Sequence, residues 1–318
     1  MGRYIVRRLV MSAIIIFLTA VLIFTVVYMI PTDPVKLMMG SDATVEEIEY
    51  KREQMGLADP YIVQLGRFLR DLFLKGDFGT SWRRGTPVSD ELFARLPRTA
   101  MLGLLSIIIS TAIAIPLGVT AAIHQNRWQD HFCMVFGMCC VSVPDFWLAL
   151  MMVILFSQKL GWLPAFGIGG PQYYIMPVLA GCLHGIGSMA RQTRSSMLEV
   201  IRSDYVTTAR AKGLAEKKVV WKHMLPNALI PVITVIGQSF GRCVAGTVVI
   251  EQVFSIPGVG TYMTTAIQTR DYPITRACVV FLSAFTAIIL LVVDLAYAYV
   301  DPRIKAQYEG QSKRRAKK

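Results

Sequence analysis

The sequence contains few charged residues, which occupy 17% of its 318 positions, whereas 54% of the positions are hydrophobic. Soluble domains carry about 25% charged residues, which they need to cover their surface. The hydrophobic residues here lie in long blocks rather than in short strands or helical stripes, and such blocks are typical of membrane helices. The composition therefore excludes an ordinary soluble protein and predicts an integral membrane protein.

The sequence also lacks patterns of catalytic or metal-binding residues. Its four histidines form no HExxH pattern, and its six cysteines lie in apolar stretches without zinc-site spacing. A GxxxxGK[ST] loop for nucleotide phosphates is missing as well. These absences argue against a membrane enzyme or an ATPase, and they predict a chain that binds no cofactor or metal ion itself.

The apolar blocks are long enough to cross a membrane. A hydrocarbon core of about 30 Å requires about 20 helical residues. Six segments meet this requirement, and the fourth is short and rich in glycine, as helices that line a pathway often are. The predicted spans are Leu9–Ile30, Ala100–Ile123, Phe132–Phe156, Ile175–Ala190, Ala228–Phe254 and Ala277–Tyr299.

The formal net charge of +12 comes from basic residues between the apolar blocks, which favours a membrane topology signal over binding to nucleic acid. Lys and Arg cluster at positions 191–222 and 303–318, so both termini are predicted to be cytoplasmic. The first apolar run is too long for a signal peptide and predicts an uncleaved span. The predicted parts are an N-terminal region with the first span (1–30), an external segment (31–98), a core of five spans (99–300) with a cytoplasmic loop (191–226), and a basic tail (301–318).

The external segment has helical signals of its own. Thr44 and Glu47 have capping-box spacing, and Gly56 can close the helix that they begin. A second amphipathic helix is predicted over 61–74. Its apolar stripe comprises Leu65, Phe68, Leu69, Leu72 and Phe73.

The cytoplasmic loop contains the segment DYVTTARAKGLAEKKVVWKHMLPNALIP. Its alanines favour a helix, Gly213 fits a turn or a close backbone approach, and Pro226 ends the loop. The segment resembles the EAA loop of ABC importer permeases. Gly213, Leu225 and Pro226 are in register with that pattern, whereas Thr207 and Thr208 replace its Glu and first Ala.

TARAKGL is the form of this loop in the dipeptide/oligopeptide/nickel permease family, and further stretches of the chain resemble that family in the same order. They are GDFGTSWRRGTPVSDELFARLPRT, VSVPDFWLAL, EQVFSIPGVG, RDYPITRA and VDLAYAYVDPRIK. The resemblance covers nearly the whole chain and is strongest to the first of the two permeases in such importers. It implies a type I ABC importer permease fold in the bacterial plasma membrane.

The resemblance also implies a function and partners. The chain would import di- or oligopeptides by alternating access, with a second permease, two ATPase subunits that bind ATP and Mg²⁺, and an external solute-binding protein. Nickel or a metal chelate is the alternative substrate, and an autonomous channel or secondary transporter is the alternative class. The residues expected to couple to the ATPase are Thr207, Thr208, Ala209, Arg210, Ala211, Lys212, Gly213, Leu214, Leu225 and Pro226.

Three ionisable residues lie within the predicted spans. Asp145 and Arg242 lie near the middle of the third and fifth spans, and Glu251 lies near the outer end of the fifth. A charge at the bilayer centre costs about 3 kcal/mol, so such residues usually pair or face water. We therefore predict that Asp145 and Arg242 line the pathway and pair with each other, or that the surrounding protein satisfies them, and that Glu251 lies at an outer gate.

Overall fold

The computed structural model describes residues 2–31, 33–40 and 43–300, with side chains for these residues except 2–4, 37, 242–246 and 296–300. The regular structure of this described part is helical, which confirms the all-α prediction. Its α-helices are α1 (Gly2–Tyr28), α2 (Pro34–Met39), α3 (Val45–Gln54), α4 (Tyr61–Lys75), α5 (Val88–Ile123), α6 (Trp128–Ser142), α7 (Asp145–Met152), α8 (Gln172–Val200), α9 (Asp204–Ala211), α10 (Glu216–Lys218), α11 (Leu225–Val253), α12 (Val259–Thr269) and α13 (Tyr272–Val300). Two π-helical turns, Val153–Lys159 and Val219–Met224, continue α7 and α10.

Several helices have the length and hydropathy of membrane spans. Within the described residues four stretches qualify, namely Ile5–Tyr28, Val88–Ile123, Glu216–Gly241 and Tyr272–Leu295. The helices Trp128–Ser142 and Asp145–Lys159 together form a fifth candidate span, which is bent by 96°. The predicted fourth span lies inside α8, which is longer but less apolar. The number of six spans therefore stays a prediction.

The predicted third span, Phe132–Phe156, is not one continuous helix. Pro144 disfavours a helical backbone at the residue before it, and Val143 accordingly has an extended conformation with φ −82° and ψ 125°. α6 therefore ends at Ser142, and α7 begins at Asp145. As a result, Asp145 lies at the start of a short helix rather than in the middle of a long one.

The chain divides into two compact units, of which the larger takes described residues 2–5, 100–256 and 289–300. Glycine allows its helices to approach closely. A Cβ on Gly187 of α8 would lie 2.2 Å from the carbonyl oxygen of Gly137 in α6. The same two helices are joined by Asp130 and Arg194, whose side chains form two hydrogen bonds of 2.6 and 2.7 Å. α6 and α8 are thus fixed by both packing and charge.

The smaller unit takes residues 6–99 and 257–288. The capping box at Thr44 and Glu47 is present, and Gly56 follows α3 with φ +63°, as the sequence predicts. On α4, Leu72 is buried and Phe68 stacks on Phe24 of α1, whereas Phe73 is exposed. The predicted stripe therefore packs in part against α1.

A buried carboxylate organises the loop before α5 in this smaller unit. Asp271 is 2% exposed and accepts hydrogen bonds from the Ser81 hydroxyl (2.5 Å) and the Trp82 and Arg83 backbone N–H groups (3.2 and 3.4 Å). Three donors therefore satisfy a charge that would be costly to bury alone. This carboxylate holds residues 81–83 against the start of α13.

Candidate functional site

The predicted coupling loop folds as a packed helical element. Val206 and Ala209 of α9 are buried in a hydrophobic cluster with Val219, Val220 and Met224 of the following π-helical turn. Because the buried positions of α9 are three residues apart, one face is anchored and the opposite face is free. The exposed residues of α9 and the turn after it include Thr207, Thr208, Arg210, Ala211, Lys212 and Gly213.

The turn after α9 depends on Gly213 and on an ion pair across it. Gly213 has φ +74°, and a Cβ at this position would meet no atom within 4 Å. The glycine is therefore required by the backbone conformation and not by a close approach. Arg210 donates two hydrogen bonds, of 3.1 and 2.6 Å, to the Glu216 carboxylate, and this hydrogen bonding lowers the pKa of Glu216 from its ordinary value.

The remaining predicted coupling residues connect this loop to α11. Leu214 packs against the same hydrophobic cluster, and Leu225 is a buried member of it. Pro226 lies in the first turn of α11, directly after the π-helical turn Val219–Met224. A movement of α9 would therefore be transmitted to α11 through contiguous side-chain packing.

A cavity of about 250 Å³ lies inside the larger unit, away from this loop. Residues of four helices surround it. Its lining residues are Ser106, Ile107 and Ser110 of α5, Asp145 of α7, Gly181, His184 and Gly185 of α8, and Ser239, Thr247 and Ile250 of α11. α8 can approach α5 at this point because Gly181 and Gly185 lie opposite the hydroxyls of Ser106 and Ser110.

Two of the three predicted intramembrane charges have described side chains, and one of these two lines the cavity. Asp145 lines it and interacts electrostatically with His184. Glu251 is fully buried next to the lining residue Ile250, and its role at an outer gate stays a prediction. The side chain of Arg242 lies outside the described residues, and its pairing with Asp145 stays a prediction.

Sequence reasoning missed most of the cavity wall. Ser106 and Ser110 are spaced by four residues in an apolar helix, and His184 lies between two glycines, Gly181 and Gly185. Both patterns place polar groups on one helix face and were visible in the sequence. The sequence did not show that these residues line the same cavity as Asp145, because this depends on contacts between residues far apart in the chain.

Two family models match the chain. Residues 114–306 match the binding-protein-dependent transport system inner membrane component, and residues 1–103 match the N-terminal part of a membrane component of such systems. Together the two models cover most of the chain, including the coupling loop and the cavity residues of α7, α8 and α11.

Curated proteins match over almost their full length. The chain is 37% identical to the dipeptide transport system permease protein DppB of Alkalihalophilus pseudofirmus over 330 residues, which cover 95% of this chain and 99% of that protein. It is 39% identical to the glutathione transport system permease protein GsiC of Salmonella paratyphi A over 305 residues, which cover 96% and 99%. The chain and these permeases therefore correspond along their whole length.

Solved structures share the fold at low sequence identity. A structure of the MetNI methionine ABC transporter in an inward-facing conformation has a TM-score of 0.57 and 16% identity, covering 66% of this chain and 96% of that one. An amino acid ABC transporter with histidines has a TM-score of 0.51 and 12% identity, covering 68% and 94%. These similarities confirm an ABC importer permease fold for the matched part.

Proposed function

Because the chain belongs to the family of binding-protein-dependent transport system inner membrane components, we propose that it is a permease subunit of an ATP-driven importer of small peptides. The observation that carries this proposal is the match to permeases named for dipeptide and glutathione transport over 95% and 96% of this chain. Both named substrates are small peptides. Substrate moves by alternating access as ATP binding and hydrolysis shift the population between outward-open and inward-open states.

The loop around Gly213 is the segment that contacts the ATPase subunits. Its anchored face packs against α11, while Thr207, Thr208 and Lys212 are exposed and available to a docking partner. Two cytoplasmic ATPase subunits bind ATP and Mg²⁺, a second homologous permease completes the pathway, and an external binding protein delivers the peptide. This chain hydrolyses no ATP itself.

The topology proposed for this subunit has six spans in the bacterial plasma membrane and both termini in the cytoplasm. The basic residues at 191–222 and 303–318 support this orientation. It places the coupling loop on the side where ATP is available and residues 31–98 on the outside.

Peptide is favoured over nickel or a metal chelate as the substrate. The relatives that match along the whole chain are named for dipeptide and glutathione. Among the described residues, no three His, Cys, Asp or Glu side chains gather in a way that would hold a metal ion. Uptake of labelled dipeptide and of radioactive nickel by the same reconstituted complex would separate the two substrates.

A matched pair of substitutions at Gly213 tests the coupling role. The backbone at φ +74° tolerates Asn but costs a β-branched residue about 1–2 kcal/mol, so Gly213→Val distorts the turn and Gly213→Asn preserves it. In proteoliposomes with all partner subunits, we expect Gly213→Val to lower ATP-dependent dipeptide uptake about tenfold. Gly213→Asn should remain within about twofold of wild type, because Asn adopts the left-handed backbone conformation more readily than other non-glycine residues.

The outcome separates an importer from an autonomous transporter. Peptide-stimulated ATP hydrolysis should fall together with uptake in Gly213→Val, because both need a correctly docked loop. Wild-type uptake by Gly213→Val, or uphill uptake by the purified chain without ATPase subunits, would contradict the proposal and favour a secondary transporter.

A further inference from the structure

Three of the residues that line the cavity in the larger unit are serines whose hydroxyl oxygens face it as hydrogen-bond acceptors. The hydroxyls of Ser106 and Ser239 donate to the carbonyl oxygens of Leu102 and Val235, both at 2.8 Å. The Ser110 hydroxyl donates to the carbonyl oxygen of Ser106 or to that of Cys182. Because each serine proton is already used inside the protein, the oxygen atoms can offer only lone pairs to a ligand.

Asp145 adds a negative charge to this wall. Among the residues that the structure describes, none donates a hydrogen bond to its carboxylate, and its one described electrostatic neighbour is His184. Asp145 is partly buried, and a carboxylate that is partly shielded from water is stabilised by a cation that also donates hydrogen bonds. Beside His184 and Thr247, the cavity thus combines one anionic group with three serine acceptors, and a donor-rich cation complements these four groups.

The size and chemistry of the cavity narrow the ligand further. A volume of about 250 Å³ is smaller than the about 300–1,000 Å³ typical of whole-ligand pockets, so it suits one end of a molecule. A primary ammonium group carries three donors and no acceptor, which matches the lining. A transition-metal ion would prefer imidazole and thiolate ligands over serine hydroxyls.

Building on the proposed function, we infer that this cavity is a subsite for the protonated α-amino group of the transported peptide, with Asp145 as its counter-ion. The three serine oxygens accept hydrogen bonds from the same ammonium group. His184, beside Asp145, lines the space that the first peptide residue enters. The subsite would select peptides with a free amino terminus during translocation, independently of the external binding protein.

Direct binding to the complex without its binding protein tests this subsite. The probes are trialanine, N-acetyl-trialanine and nickel chloride, and the variants are Asp145→Asn, Asp145→Glu and, as a control, Asp90→Asn on the exposed start of α5. We expect wild type and Asp90→Asn to bind trialanine at least about tenfold more tightly than the acetylated peptide. The ratio should fall to about one in Asp145→Asn, because its side chain carries no charge, and should be partly kept in Asp145→Glu.

Comparing trialanine with N-acetyl-trialanine on the wild-type complex tests the subsite even if a variant does not assemble. Equal binding of both peptides by wild type, a preference that survives Asp145→Asn, or tighter binding of nickel than of trialanine would overturn the subsite. Absence of trialanine binding would overturn it as well. The proposed function has a separate test, since a complete wild-type complex that imports neither dipeptide nor blocked peptide would refute peptide import itself.

Discussion

Each of the two compact units contains a carboxylate in a largely apolar setting, but the two carboxylates differ in whether they accept hydrogen bonds from the protein. In the smaller unit Asp271 is 2% exposed and accepts hydrogen bonds from one hydroxyl and two backbone N–H groups. In the larger unit Asp145 faces a cavity and accepts no hydrogen bond from any residue that the structure describes. A carboxylate whose hydrogen bonds are all made within the protein maintains a structure. A carboxylate beside a cavity that accepts no such hydrogen bond is available to a ligand.

The largest expected effect is on stability when each carboxylate is replaced by its amide. Asp271→Asn turns an acceptor into a partial donor against three donors, so we expect a loss of about 3 kcal/mol in the free energy of unfolding. Asp145→Asn should change that free energy by no more than about 0.5 kcal/mol. Thermal unfolding of both purified variants in one detergent measures the difference. Equal losses would remove the distinction between the two sites.

A second, smaller effect tests how closely two helices of the larger unit, α6 and α8, pack together. In Gly187→Ala the new Cβ would lie 2.2 Å from a backbone oxygen of α6, which cannot rotate away. We expect a loss of about 1–3 kcal/mol, as for overpacked cores, with a matching drop in the unfolding temperature.

The control for that substitution lies in the smaller unit. Gly66 is in the middle of α4, and a Cβ there would meet no atom within 4 Å. Gly66→Ala should therefore raise stability slightly, by up to about 1 kcal/mol, because Ala favours the helix. If Gly187→Ala is as well tolerated as Gly66→Ala, close packing of α6 and α8 does not contribute to the stability of the larger unit.

The smallest effect concerns the ion pair between Arg210 and Glu216 of the coupling loop, which is exposed and does not belong to the hydrophobic core of either unit. Hydrogen bonding from Arg210 lowers the pKa of Glu216, so the pair's contribution is complete above the ordinary pKa of 4.5 and is lost as the pH falls through the lowered value. Glu216→Gln should cost about 0.2–1 kcal/mol at neutral pH and remove this acid dependence. A stability curve measured between neutral and acidic pH for both proteins would show it. The same acid dependence in wild type and variant would mean that the pair contributes nothing.

The sequence predicts those features that local chemistry determines. The capping box at Thr44 and Glu47 and the left-handed turn at Gly213 follow from neighbouring residues, and both are present in the structure. Pro144 was a visible signal for the break before Asp145, but the strong hydropathy on both sides favoured one continuous span. α12 was missed because a short helix after Gly258 carries no long apolar block.

The cavity could not be predicted from the sequence, because its lining residues come together only in the folded chain. Asp145 was identified from its charge within an apolar block, whereas Ser106 and His184 were marked only by their place on one helix face, which is a weaker signal because hydroxyl and imidazole groups are common in helices. The three residues meet only when α5, α7 and α8 pack together, and this depends on Gly181 and Gly185. Glu251 was selected by the same charge argument as Asp145, but it is not among the described residues that line this cavity, and its gate role stays a prediction. Charge alone therefore does not locate a cavity.

One measurement tests directly whether Asp145 marks a ligand site. Ile107→Cys places a thiol in the cavity wall, and its reaction with a water-soluble thiol reagent can be followed by mass spectrometry of the complex, alone and combined with Asp145→Asn. We predict that trialanine slows labelling of Ile107→Cys and that this protection disappears in the double variant. Equal protection in the single and the double variant, or no protection in either, would contradict the claim that the Asp145 carboxylate binds the peptide.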